Sequence, residues 1–297
     1  MERGRLKTGR VLLAAACALL LAQGCSTRPR NPGEIFDVRG RAESQLELGN
    51  RHADRGDAET ALFLIDDAMR LAVLADDAGL LVRAGLSRSN VLAHLGYADE
   101  AEAGRNRALA EALLSGNREL VALSRLHIAR AGLFSPNAAG TALSVAEEAA
   151  RERAHLSNRL HVAFAWSVEG LAEMALGRHA RAEAALLQSL AIHERGRYFE
   201  LAALDWFTIA SFRSRSGDFD GARRALETSI EFDRRVENSW GLAAGWRALG
   251  DVETRAGNRD AARAAFLRSA GIFLALGNER AAEDALARID GQPSGNH

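Results

Sequence analysis

Residues 246–269 read WRALGDVETRAGNRDAARAAFLRS, and the same pattern recurs through the 297-residue chain. Ala262 in this stretch has counterparts at Ala222, Ala182, Ala142, Ala101 and Ala61, separated by 40, 40, 40, 41 and 40 residues. A fixed period of this size means one supersecondary unit copied along the chain, which builds a solenoid and not a globular enzyme core.

The surroundings of the alanine repeat with it. Five residues earlier stand Gly56, Gly96, Asn137, Gly177, Gly217 and Gly257. Gly and Asn tolerate a left-handed backbone, so this position reads as a helix stop and a tight turn. Asp57, Asp218 and Asn258 follow it and suit the N-cap region of the next helix. Seven residues after the alanine come Ala68, Ala108, Ala149, Ser189, Ser229 and Ser269; twelve before it stand Gly49, Ser89, Arg130, Gly170, Ala210 and Gly250. Two antiparallel helices approach closely only where facing residues are small, so these slots mark a helical hairpin in which Arg130 is the misfit. Sixteen before the alanine, Leu126 is followed by Trp166, Trp206 and Trp246 in successive units, a series that reads as core filler. A second punctuation series, Gly116-Asn117, Ser157-Asn158, Gly196-Arg197, Glu237-Asn238 and Gly277-Asn278, separates the units. The expected fold is all-α: a right-handed α-solenoid of about six hairpins and a C-terminal capping helix, its helices roughly 15 to 18 residues long.

Trp246-x-x-Leu249-Gly250, Gly257-Asn258, Ala262, Phe266 and Ser269 resemble the tetratricopeptide-repeat (TPR) signature in order and spacing, as do Leu48-Gly49, Gly56-Asp57, Ala61, Ile65 and Ala68. The resemblance covers about residues 40–290. The period exceeds the usual 34 residues, and the helix-ending proline is replaced by Val73, Leu113, Ala154, Glu194, Arg234 and Leu274. Both departures resemble the long-helix variety of kinesin light chains and some bacterial regulators.

At the N-terminus Arg3, Arg5, Lys7 and Arg10 precede an apolar run from Val11 to Ala22, the layout of a secretory signal and too short to span a bilayer as a helix. Leu21-Ala22-Gln23-Gly24-Cys25 resembles a bacterial lipobox, which implies cleavage before Cys25 and its lipidation. The expected organisation is a signal peptide over 1–24, a lipidated cysteine and tether over 25–38, the solenoid over 39–277, a capping helix over 278–290 and a disordered tail over 291–297. In the cap, Ala282, Ala285, Leu286 and Ile289 form the expected inner face, with Glu283, Asp284 and Arg288 outward. Two or more acyl chains give stable anchoring, and Ser26 after the cysteine favours the outer membrane if the source is Gram-negative. Cleavage would remove Cys17, leaving no cysteine in the folded part for a disulfide, a zinc–thiolate site or thiol catalysis.

A net charge of −1, from 38 basic and 39 acidic residues, gives no field for nucleic acid. Phosphate-loop, nucleophile-elbow and zincin motifs are absent from the sequence. Histidines are scattered and read as exposed helix-end residues; His155 and His161 are the one pair with conceivable metal spacing. The acidic pairs Asp66-Asp67 and Glu147-Glu148 read as solvated charge. No catalytic residue, metal or cofactor is therefore expected.

The TPR resemblance implies a groove lined by the first helix of each hairpin. Its register places Arg83, Asn90 and His94 there in the second unit, His127 in the third, and Phe164, Ser167 and Met174 in the fourth. The fifth adds Phe207, Ser211 and Arg215, and the sixth Arg247, Asp251 and Arg255. Arg83 with Asn90 is similar to the basic/Asn pairs with which some TPR domains hold a peptide carboxylate. The resemblance implies a membrane-anchored lipoprotein that faces the periplasm and binds a protein or peptide as a scaffold or assembly factor. The alternative is a ligand-binding accessory component of a solute transporter, using the groove's Phe and Met residues.

Overall fold

The computed structural model describes residues 32–135 and 138–289, and every regular element among them is an α-helix. Six hairpins follow in order: α1 (Pro32–Asp54) with α2 (Ala58–Leu74), α3 (Ala78–His94) with α4 (Ala98–Ser115), and α5 (Arg118–Gly132) with α6 (Ala138–Arg153). Then come α7 (Arg159–Ala175) with α8 (His179–Gly196), α9 (Phe199–Arg215) with α10 (Phe219–Arg235), and α11 (Ser239–Arg255) with α12 (Arg259–Ala275). A final short helix, α13 (Glu279–Ala287), packs on α12. The all-α solenoid of helical hairpins is thus observed.

Turn chemistry explains the punctuation. Gly56, Gly96, Gly177, Gly217 and Gly257 all have positive φ. At each, the next residue's N–H returns to a carbonyl five residues back, as from Asp57 to His52 and from Asp218 to Arg213. Asp57 and Asp218 cap the following helices by accepting from the backbone N–H groups of Thr60 and Gly221. Asn258 does not cap, contrary to expectation: its amide donates to the buried Glu253 at 2.7 Å.

In the first, fourth and sixth hairpins the small slot meets a large residue. A Cβ added at Gly49 would lie 2.7 Å from Ile65, one at Gly170 2.8 Å from Leu186, and one at Gly250 2.5 Å from Phe266. Trp206 and Trp246 pack against the largest apolar cluster, as filler should. The ring faces of Trp166 and Trp246 carry arginines: Arg153 stacks over Trp166 at 3.5 Å and Arg268 over Trp246 at 4.6 Å.

The third unit needs a different register from the one its alanine gives. Four residues after the starts of α3, α5, α7, α9 and α11 stand Val82, Ala122, Ala163, Ala203 and Ala243, all buried. The extra residue of the 41-residue step therefore lies in the α5–α6 turn. Counted this way, the small slot of α5 is Ala129, and the tryptophan slot is Arg125, not Leu126. Arg130 is no misfit: it shares the position of Asn90, Ser211 and Asp251.

Both ends depart from expectation. α1 begins at Pro32, inside the segment expected to be a tether as far as residue 38; proline at a helix start forfeits no hydrogen bond, because the first N–H groups have no intrahelical partner. In α13, Ala282 and Ala285 are buried as expected, but Leu286 is exposed. Asp284 and Arg288 turn toward α11 instead, where Asp284 pairs with Arg247 at 3.2 Å and Arg288 with Asp251 at 2.8 Å. Cys25, the signal segment and the 291–297 tail lie outside the described residues. Among the described residues no helix is long and apolar enough to cross a membrane.

Candidate binding groove

The first helices of the hairpins touch one another across units, α1 with α3, α3 with α5, α5 with α7, and α9 with α11, whereas the second helices do not pair to the same extent. The array therefore curves with α1, α3, α5, α7, α9 and α11 on its inner side. One further approach narrows the interior. An added Cβ at Gly56, in the first unit's turn, would fall 2.7 Å from the indole of Trp240 at the start of α11. Beside this approach Asp54, at the end of α1, is pushed up to about 6 by the protein crowded around it and by the charge of Glu200 on α9, with Arg55 pulling it back, although its side chain still reaches solvent. Burial and Glu200 also hold Asp233 up at about 6, against a 2.8 Å hydrogen bond from Asn238. The first unit thus faces the fifth and sixth across the interior.

Apart from His127, the expected groove residues fall into four groups. His94, Arg215 and Arg255 stand exposed near the C-terminal ends of their helices, where Arg255 donates to Ser214 Oγ at 2.7 Å. Arg83, Asn90, Ser167, Met174 and Ser211 are half-buried along the inner helices, Arg83 donating weakly to the Gly79 carbonyl at 3.4 Å. Phe207 packs against the largest apolar cluster and Phe164 against two neighbouring ones. Arg247 and Asp251 are already engaged by the cap helix. At Arg247 and Asp251 the charge of the groove is therefore internally neutralised, while Arg215 and Arg255 stay exposed.

The structure brings one expected pair together. His127 and Phe164, on α5 and α7, stack with ring centroids 4.5 Å apart. Burial, with the charges of Arg130, His161 and Arg105, pushes His127 down to about 3, so its imidazole is neutral near neutral pH. His161 is not free for a metal: it lies 2.8 Å from Glu119. Burial opposes ionisation of Glu119, but hydrogen bonds from Ser157, the backbone of Asn158 and His161 hold it down to about 2. No cluster able to hold a metal ion occurs among the described residues.

Two features escape the sequence pattern. His193 is buried, not exposed, and lies 2.6 Å from Asp205, whose two carboxylate oxygens also accept from Ser189 at 3.1 Å. Burial raises the pKa of Asp205, and the His193 contact opposes it. The charges of Arg130 and Arg105 act on His127, and the corrected α5 register is the signal that places Arg130 on the inner face.

No protein-family model and no curated protein sequence matches the chain. Solved structures do. A Rap protein complexed with competence and sporulation factor aligns over 84% of this chain and 75% of its own, with 15% identity and a TM-score of 0.52. PilW, a type IV pilus biogenesis factor, aligns over 80% of this chain and 96% of its own, with 17% identity and a TM-score of 0.47. A tetratricopeptide-repeat protein from Parabacteroides merdae aligns over 85% and 93%, with 17% identity and a TM-score of 0.39. The class defined by the hairpins, their small-residue seams and their inner helices is the α-solenoid, and its particular form here is the tetratricopeptide-repeat fold.

Proposed function

We propose that this chain is a lipid-anchored scaffold of the cell envelope that binds a protein or peptide along its inner helices. One observation carries the reading: six hairpins present a continuous inner surface of half-buried polar and aromatic side chains, Asn90, Phe164, Ser167 and Ser211 among them. Extended concave surfaces are what solenoids use for binding. The Rap neighbour was solved complexed with competence and sporulation factor, which agrees with partner binding by a chain of this fold. Cys25 and the segment before it supply the anchor in this reading, with an outer-membrane address facing the periplasm.

A photo-crosslinking residue at Ser211, in the native envelope, should yield a discrete adduct with one protein. Clean labelling without a protein adduct would sink the protein-binding reading and favour a small ligand of a transport system. The anchor is tested separately. The full chain should partition into the detergent phase on Triton X-114 separation and the Cys25→Ala chain into the aqueous phase; equal partitioning would refute lipidation at Cys25.

A further inference from the structure

Antiparallel hairpins bring the end of each second helix and the start of the next first helix to one edge of the array. On that edge the first two units expose aliphatic side chains. Val73 and Leu74, at the end of α2, are 63% and 64% exposed, and Leu113 and Leu114, near the end of α4, 57% and 82%. Both pairs occupy the same two slots, twelve and thirteen residues after Ala61 and Ala101. Because α3 packs against both α2 and α4, the two pairs flank its start. The third, fourth and fifth units place Ala154-His155, Glu194-Arg195 and Arg234-Arg235 in these slots, and the sixth Leu274-Ala275, all exposed. Scattered exposed apolar residues are ordinary, but two aliphatic pairs at equivalent places in adjoining units make a contact surface. The start of α1 belongs to the same edge. Arg39 pairs with Asp77, in the α2–α3 turn, at 2.9 Å, and α1 runs seven residues further back to Pro32, about 10 Å along the helix. Cys25 stands seven residues before Pro32, a reach of at most about 25 Å.

We propose that this edge of the first two units, through Val73, Leu74, Leu113 and Leu114, seats on the lipid surface that holds Cys25. The inference rests on the lipid-anchored reading above and adds to it the face that meets the membrane. Even a single myristoyl chain binds a bilayer only marginally, so four aliphatic side chains do not hold a free protein there. A tether changes the balance: it keeps the edge beside the membrane at high effective concentration, and docking needs no further association step. Burial of the two pairs in the acyl region then removes apolar surface from water. Leu274 fills the same slot as Val73 and Leu113 but lies at the far end of the array, and it stays in water. Edge-on seating leaves the inner helices uncovered for a partner.

The test uses the full chain in its native envelope, with a diazirine-bearing residue in place of Leu114 or, as the control, of Leu274. Adducts are identified by mass spectrometry, and the Cys25 peptide of the same sample is examined for acyl chains. Position 114 should give phospholipid adducts, several-fold more than position 274. With the diazirine at Leu74, Leu113→Gln together with Leu114→Gln should cut the lipid adduct several-fold at an unchanged melting temperature, because both side chains are exposed. In a chain acylated at Cys25, four results would overturn the docking and leave the anchor standing: no lipid adduct at 114, equal adducts at 114 and 274, an unchanged adduct in the double variant, or a protein adduct at 114. An unmodified Cys25 would overturn the anchor and the docking with it.

Discussion

Gly250 lies against Phe266 so closely that a single methyl group forces the ring to move. Overpacking of this kind costs about 1–3 kcal/mol, so Gly250→Ala should lower urea-unfolding stability by that amount. The same substitution at Gly271, where an added Cβ meets nothing within 4 Å, should be neutral or slightly stabilising because alanine favours helix. A second residue-scale prediction concerns Asp205. Removing it leaves His193 and the Ser189 hydroxyl buried without their partner, so Asp205→Ala should cost about 3 kcal/mol in the same measurement. The glycine seam is legible in sequence because close helix approach is what keeps one position small in unit after unit. The Asp205 cluster is not: its members come from two helices, and a lone Ser, His or Asp in a helix looks the same in sequence whether buried or solvated.

At the scale of the helix, N-caps and register decide what can be read. Asp57 accepts from Thr60 across the first turn of α2, so Asp57→Ala should lower stability by about 1 kcal/mol. Asn258 sits at the equivalent place yet makes no cap bond. Asn258→Ala should instead act through Glu253, which keeps its partner Arg223, and the loss should be smaller than at Asp57. Comparing the two variants by chemical denaturation checks both statements. Helix number, turn positions and hairpin pairing are open to sequence reading because glycine stops and small seams recur together. Register in α5 is not, since counting from Ala142 carries the turn insertion back into the helix. That one-residue offset moves Arg130 from the groove to a seam and hides its relation to His127.

For the whole molecule, acidity is the informative variable. Asp54 and Asp233 are both raised from the ordinary carboxylate value of 3.8 to about 6. The folded chain therefore holds protons that the unfolded chain releases. Their contribution is most favourable below about pH 4 and is lost as pH rises through 6. Glu119, held at about 2, acts oppositely, but its contribution fades only below the ordinary glutamate range. Between about pH 4 and 6 these aspartates make the melting temperature fall as pH rises. His127 pulls the opposite way, since its depressed pKa favours the folded chain as pH rises toward the ordinary histidine value. Asp233→Asn, which still offers an acceptor to Asn238, should flatten that fall, a change on the order of 1–2 kcal/mol at the alkaline end. A pH series of thermal melts on both chains measures it; parallel curves would refute the assignment to Asp233.

Repeat arrays stabilise each unit through its immediate neighbours, so they ordinarily fray from both tips inward. The approach of Gly56 to Trp240 changes that order of events. It ties the first turn to a helix five hairpins further along the chain, and the loop entropy of that closure is met only once the intervening hairpins stand. The tips then guard each other: an opening at one end removes support from the other. A chain assembled almost wholly from local contacts thereby acquires a single late step on which the persistence of its enclosed interior depends.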